Sequence, residues 1–341
     1  MSPMSHLAKV KHLFEERTGL RWGGNVILLG YVGSIAHGTH TPSTDPDTID
    51  DVDTMGVVIP PAFYTLGGVK RWEGCVIQEG EVDAVFYSLE KFAGLLVKSN
   101  PNVLGTLWLP EEHLLLQTEA GRALQHHRLL FSTLNAYPSF VGYAYGQLHR
   151  MESFDLSRME EYEWFTDQIT GAGIKVRELL EADSQKMAWF IKQYRDVLNA
   201  DQFHRFRSLH KQYFSGYMGA KRKALVRRIG YDTKNAAHLI RLMRMCVTFL
   251  ADGVLRVDRT GIDADELRVI KAGAWTLDQV KVEAERLFAE AKVAKEASTL
   301  PPSPDLERVG HLITNLHLDS YVTNWPTAAE RGQPSVGGGS Q

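Results

Sequence analysis

The chain has little that would staple it, anchor it or repeat it. Its 341 residues include two cysteines, Cys75 and Cys246, far apart and each without a second thiol nearby. That excludes a disulfide framework, a zinc ribbon and a redox Cys-x-x-Cys. Both read as buried, reduced side chains, as fits a cytosolic protein. No run approaches the length of apolar sequence needed to span a bilayer. Residues 1–17 carry charge throughout and lack an apolar core, so they do not read as a signal peptide. These absences predict a soluble, cytoplasmic protein with no membrane contact. An excess of one charge is lacking too. With 38 Lys and Arg against 41 Asp and Glu, the net charge is −3, so any nucleic-acid contact must come from a local patch. Thirteen histidines occur without metal-ligand spacing.

What remains is ordinary for a globular chain. A hydrophobic content of 44% and a charged content of 23% exclude a disordered or collagenous polymer. The length suits two domains, or one α/β unit with a helical extension. Apolar residues at helical spacing predict a helix over 5–16, followed by a buried strand over 25–31 where Val26, Ile27, Leu28 and Leu29 run together. Residues 39–53 are rich in Thr, Pro, Ser and Asp and read as a loop. A strand over 55–59 stops at Pro60-Pro61. Two further strands, 74–78 and 82–87, are spaced as a hairpin.

Beyond residue 89 the pattern is helical: 89–98, 143–151, 160–180, 185–198, 221–229, 234–252, 262–271, 277–292 and 305–318. Pro301-Pro302-Ser303-Pro304 reads as a stiff linker, and the Gly-rich end after residue 324 as a disordered tail. The expected class is α+β, a small mixed sheet followed by a mainly helical domain. Its parts are a catalytic core over 1–110, a helical substrate- or nucleotide-binding domain over 111–320 and a tail over 321–341.

The residues that suggest chemistry lie in the first part. Gly33-Ser34 follows a buried strand and opens a short turn where backbone can approach an anion closely. Asp51-Val52-Asp53 precedes the next strand, and side chains two apart in extended backbone share a face. Asp83 lies in a strand whose Val82, Ala84 and Phe86 point into a core, leaving Asp83 with Val85 and Tyr87 on the opposite face. A carboxylate on so apolar a strand is costly unless a cation meets it. Three acids on neighbouring strands, facing a phosphate-cradling turn, are what metal-assisted phosphoryl or nucleotidyl transfer requires. Two Mg²⁺ ions, or Mn²⁺ in their place, would bridge such acids and a nucleotide's phosphates. The alternative is an Asp-x-Asp that caps a solvated turn.

Gly33-Ser34, Asp51-Val52-Asp53 and Asp83 resemble the signature of the polymerase-beta-type nucleotidyltransferase superfamily. The likeness extends through residues 56–61, 83–92, 100–102, 139–144, 219–223 and 234–241. Over most of the chain it resembles the predicted bacterial and phage nucleotidyltransferases grouped with RNA ligases as RNA-repair partners. The resemblance implies that Asp51, Asp53 and Asp83 are the metal-binding catalytic carboxylates and that Gly33 and Ser34 hold the triphosphate. It also implies an NTP substrate, an RNA 3′ end as the favoured acceptor and an RNA ligase as functional partner. One departure is a longer interval between Ser34 and Asp51, which makes Asp45 and Asp47 rivals for the Asp-x-Asp pair; the strand that follows Asp53 favours Asp51 and Asp53.

Lys234, His238 and Arg241 share one face of a helix and are candidate nucleotide contacts, with Asp232 or Thr233 at its start as the cap. The alternative is a solvated face. Lys221-Arg222-Lys223, with Arg227, Arg228, Tyr213 and Tyr217 nearby, is the densest basic and aromatic segment and a weaker candidate for nucleic-acid contact; triphosphate binding or plain surface are its other readings. Asn100-Pro101-Asn102 reads as a helix cap or a base or ribose contact. Acceptors other than RNA, a protein side chain or a small molecule, stay open, as does a catalytically silent nucleotide- or RNA-binding module.

Overall fold

A computed structural model describes residues 3–41, 52–68, 70–80, 82–152, 156–211 and 220–323. The chain divides into two compact units, one formed by Met1–Tyr145 with Ala237–Gln341 and the other by Gly146–Ala236. The architecture is a mixed α/β domain with a small sheet, followed by a largely helical region.

In the first unit, α1 (Pro3–Thr18) is followed by β1 (Val26–Tyr31), a single helical turn α2 (Gly33–Ala36), β2 (Asp53–Val58) and a short α3 (Ala62–Thr65). The hairpin is β3 (Gly74–Glu79) with β4 (Val82–Ser88), and β5 is Leu114–Gln117. The strand order is β3-β4-β2-β1-β5. β2 runs parallel to β4 and the other neighbours pair antiparallel. Strand β4 alternates as its sequence predicts: Val82, Ala84 and Phe86 are buried while Asp83, Val85 and Tyr87 are half-buried. The buried set packs with Val10, Leu13 and Phe14 of α1 and with Trp22. Phe14 and Phe86 meet at 4.6 Å between ring centres. Strand β5 has no alternation, only Leu114-Leu115-Leu116, and the helical pattern around it predicts no strand there.

Helices α4 (Leu89–Val97), α5 (Pro101–Thr106), α6 (Glu119–His126) and α7 (Ala136–Glu152) follow. Asn100 caps α5: its Oδ1 accepts from the amides of Asn102 and Val103 at 3.1 and 3.3 Å. The cap reading of Asn100-Pro101-Asn102 is therefore the one seen.

The Gly146–Ala236 unit contains α8 (Leu156–Gly171), α9 (Val176–Leu180), α10 (Ser184–Gln193), α11 (Ala200–Leu209) and α12 (Ala220–Ile229). The single helix expected over 160–180 is broken in two, because Gly173 takes a positive φ of 75° that ends α8. The unit's core gathers Tyr162, Phe165, Ile169, Phe190, Phe203 and Phe206. Helix α13 (Thr233–Asp252) starts in this unit and continues in the first, capped by Asp232, whose Oδ1 accepts from the Asn235 amide at 3.3 Å. Cys246 of this helix is buried as expected, whereas Cys75, on the edge strand β3, is only half-buried.

Helices α14 (Ala264–Lys271), α15 (Leu277–Ala297) and α16 (Leu306–Thr323) complete the sheet-bearing unit, with α16 packed on α4 and α6. None of the described helices is long and apolar enough to cross a membrane. The tail expected beyond residue 324 lies outside the described residues.

Candidate active site

Asp53 opens β2 and Asp83 is the second residue of β4, and the parallel ladder places them directly opposite each other. In-register residues of a parallel pair project to the same side, on strands about 4.8 Å apart. Two carboxylates predicted from separate strands thus stand together on one face of the sheet. Both are half-buried. The Gln78 amide on β3 donates to Asp83 Oδ2 at 3.1 Å. On the β1 side, the Val32 amide donates to the Asp53 carbonyl at 2.9 Å, tying the end of β1 to the start of β2.

That tie brings Gly33 against Asp53. Gly33 has a φ of 61°, and a Cβ there would collide with Asp53 Oδ2. Only glycine satisfies both conditions at no cost. Ser34 follows in α2, its hydroxyl hydrogen-bonded to His40 Nδ1 at 3.2 Å and its carbonyl accepting from the Thr39 amide at 2.9 Å. Asp51, with its rivals Asp45 and Asp47, lies outside the described residues. Among the described residues, no group of three or more His, Cys, Asp and Glu side chains could hold a metal ion. Two oxygen-donor carboxylates in register nonetheless suit a hard divalent cation, which takes such ligands in preference to nitrogen or sulfur.

The turn after Gly33 is fastened by the segment leading into α14. His37 Nδ1 bonds the Val257 carbonyl at 2.7 Å, and Gly38 lies so close to Asp258 and Thr260 that a side chain would not fit. From α14, Arg268 donates to the Gly38 carbonyl and Lys271 to the Thr39 carbonyl, each at 2.5 Å. None of these partners is marked by a local motif; only the tertiary fold joins residues 37–39 to 257–271.

Residues 5–165 match a family model described as RlaP, RNA repair pathway DNA polymerase beta family. This segment is similar to the RlaP family. The match covers a little under half of the chain. The likeness is to a polymerase-beta-type family linked by its description to RNA repair. No curated protein and no solved structure matches the chain. The matched segment contains Gly33, Ser34, Asp53 and Asp83, and it ends before α13.

Helix α13 carries Lys234, His238 and Arg241 as expected. Lys234 falls in the Gly146–Ala236 unit, and His238 and Arg241 in the sheet-bearing unit. All three are half-buried rather than solvated. The His238 ring lies 5.3 Å from that of Tyr143. Burial and the nearby Arg259 guanidinium push the Arg241 pKa down to about 9, with Asp263 opposing them.

Of the basic run on α12, Arg222 is committed to Asp232 (3.1 and 2.6 Å) and to the Asn235 side chain (2.9 Å). Lys223 lies 3.5 Å from Glu163, which also pairs with Arg227. Lys221's side chain, Tyr213 and Tyr217 lie outside the described residues.

Proposed function

We propose that this chain is a divalent-cation-dependent nucleotidyltransferase, which moves a nucleoside monophosphate from an NTP to an acceptor hydroxyl and releases pyrophosphate. The observation that carries the reading is the register of Asp53 with Asp83, with Gly33 against the Asp53 carboxylate. The RlaP-family match supports it from outside the geometry.

Asp53 and Asp83, with Asp51 as the third carboxylate, would hold Mg²⁺ or Mn²⁺, two ions in all. When bound, such ions supply Lewis-acid stabilisation of phosphoryl oxygens and a more acidic acceptor hydroxyl. The chain's own residues do the positioning. Gly33, lacking a side chain, lets the backbone of the turn approach a phosphate closely, and Ser34 adds a hydroxyl beside it. The acceptor oxygen forms a bond to the α-phosphorus while the α–β bridging bond breaks. The pyrophosphate leaves with its electron pair, and the acceptor's proton is lost to solvent or to a carboxylate oxygen. Arg241 provides a guanidinium and His238 a ring nitrogen in the same unit for the phosphates.

The favoured acceptor is an RNA 3′ end, with an RNA ligase acting in the same pathway. A second reading, transfer to a protein side chain or a small molecule, draws support from α12. There Arg222, Lys223 and Arg227 face carboxylates, so the densest basic segment is largely neutralised.

Incubation with each α-³²P-labelled NTP and Mg²⁺, with and without RNA, tests the reading. Label should enter RNA and be lost in Asp53→Asn. Label on protein would move the acceptor to a side chain. Binding of NTP with no transfer to any acceptor would leave a silent binding module and overturn the enzymatic reading.

A further inference from the structure

Arg259 is 2% exposed, yet its Nη1 has no hydrogen-bond partner. The rest of its guanidinium is well held: Nε and Nη2 donate to the two oxygens of Asp263 at 2.7 and 2.8 Å. Asp263 is shared in turn with Arg244, at 3.2 Å, and Arg244 also reaches Glu266 at 2.7 Å and Glu283 at 3.0 Å. This chain of pairs fixes Arg259 in one orientation with one N–H unused.

Beside it is a second cation in a similar state. Arg241 Nε is buried without a hydrogen-bond partner, and Arg241 has no ion pair among the described residues. It is close enough to Arg259 for the two charges to repel. Asp263 is the carboxylate that acts on it electrostatically, and both of its oxygens are already engaged by Arg259. Water can satisfy an N–H group but does not neutralise a charge. Burying two guanidiniums against one shared carboxylate is therefore costly unless an anion completes the set. Arg259 lies between Asp258 and Thr260, the two residues that close on Gly38. The pair is thus built onto the segment that fastens the Gly33 turn.

We infer that Arg241 and Arg259 form a two-guanidinium clamp for the oxygens of a phosphate chain. Such oxygens belong equally to the polyphosphate of an NTP and to released pyrophosphate. Guanidinium groups suit both, since each presents directed N–H donors to anionic oxygen. The inference rests on the nucleotidyltransferase reading for its choice of anion, and it adds Arg259, which no sequence motif marks.

The test is thermal unfolding of the full chain in EDTA, with inorganic triphosphate as the probe and sulfate at matched ionic strength as the control. Triphosphate should raise the melting temperature of the wild type, and sulfate should do so much less. Arg241→Met should melt at or above the wild-type temperature without triphosphate, because it removes a buried charge that lacks a partner. It should also weaken triphosphate binding by about tenfold to a hundredfold, the value of a charge-assisted hydrogen bond. Arg259→Lys should weaken it too, since the fork is lost while the charge stays. Asp53→Asn should keep the full response.

A full wild-type response in Arg241→Met and Arg259→Lys would overturn the clamp. So would a lower unliganded melting temperature in Arg241→Met, which would make that arginine a structural element, or an equal response to sulfate. The two readings fail separately. A response lost in Arg241→Met, with no nucleotide transfer by the wild type, keeps the clamp and removes the transferase. Transfer by the wild type with an undiminished triphosphate response in Arg241→Met does the reverse.

Discussion

Arg205 of the Gly146–Ala236 unit forks the Glu161 carboxylate with bonds of 3.0 and 2.8 Å, whereas Arg241 of the sheet-bearing unit has no ion pair among the described residues. The contrast recurs. In the helical unit Arg222 is locked to Asp232, while Lys223 and Arg227 converge on Glu163. In the sheet-bearing unit Arg259 keeps an unused buried N–H. A charge with its partner already in place contributes to folding and has little left for a ligand. A buried charge without one costs stability and is held by the surrounding structure for something else. The lesson is that the density of basic residues along a sequence does not tell which of them already have carboxylate partners.

The strongest way to break this comparison is to remove a charge from each side. Asp53→Asn or Asp83→Asn should lower nucleotide transfer by about a thousandfold, since loss of a single preorganised electrostatic group commonly costs about 10²–10³ in rate. Denaturant unfolding of either variant should change little. Wild-type turnover in both variants would remove the in-register pair from the site.

On the other side, Arg222→Met should leave the 5% exposed Asp232 side chain without its cation. Breaking a buried pair in this way costs about 3 kcal/mol. Asp232 also caps α13, so the loss should appear as a lower urea midpoint with transfer per folded molecule unchanged. An unchanged midpoint would show that the paired charges of this unit do not contribute to folding as argued.

A subtler change sharpens the comparison inside the sheet-bearing unit. Gly33→Ala adds a methyl group where Asp53 Oδ2 sits and forces a non-glycine residue to a φ of 61°. The backbone term alone is about 1–2 kcal/mol. Displacement of the Asp53 carboxylate should lower kcat more than it raises KM for the NTP. A pure KM effect would place Gly33 at the phosphates without a part in holding Asp53.

Much of this was legible in the residues alone. Asp83 was visible because strand alternation is local: Val82, Ala84 and Phe86 needed a core, so the acid between them had to face the other way. Gly33-Ser34 and Asp53 were visible as strand punctuation. Their juxtaposition was not, since it depends on the Val32–Asp53 backbone bond and the parallel register of β2 with β4. The Arg241–Arg259 pair was less legible still. Arg241 could be placed on a helical face, but Arg259 lies in a turn with no periodicity, and only packing of the 257–263 segment against α13 brings them together. The partners of the α12 run were hidden for the same reason, because Glu163, which meets two of its cations, is far away in sequence. Strand β5 escaped because four residues without alternation carry too little pattern to separate strand from helix.

The smallest expected effect concerns a pair that crosses the comparison, being a partnered charge in the sheet-bearing unit. Glu90 of α4 lies 3.1 Å from His317 Nε2 of α16 and accepts from Thr65 Oγ1 at 3.0 Å. Burial alone would raise its pKa; the His317 ring beside it, its own backbone amide and the Thr65 hydroxyl hold it at about 2. A carboxyl depressed on folding contributes stability that is present above its unfolded pKa and is lost as pH falls from about 4.5 through about 2. The side chain is 39% exposed, so solvent screening keeps the contribution small. Glu90→Gln should therefore flatten the fall in unfolding free energy over that acid range and leave transfer at neutral pH as it was. If the variant kept the wild-type slope and lost transfer instead, Glu90 would serve the site and not the stability of the fold, and a charge already paired would have proved no guide to where stability lies.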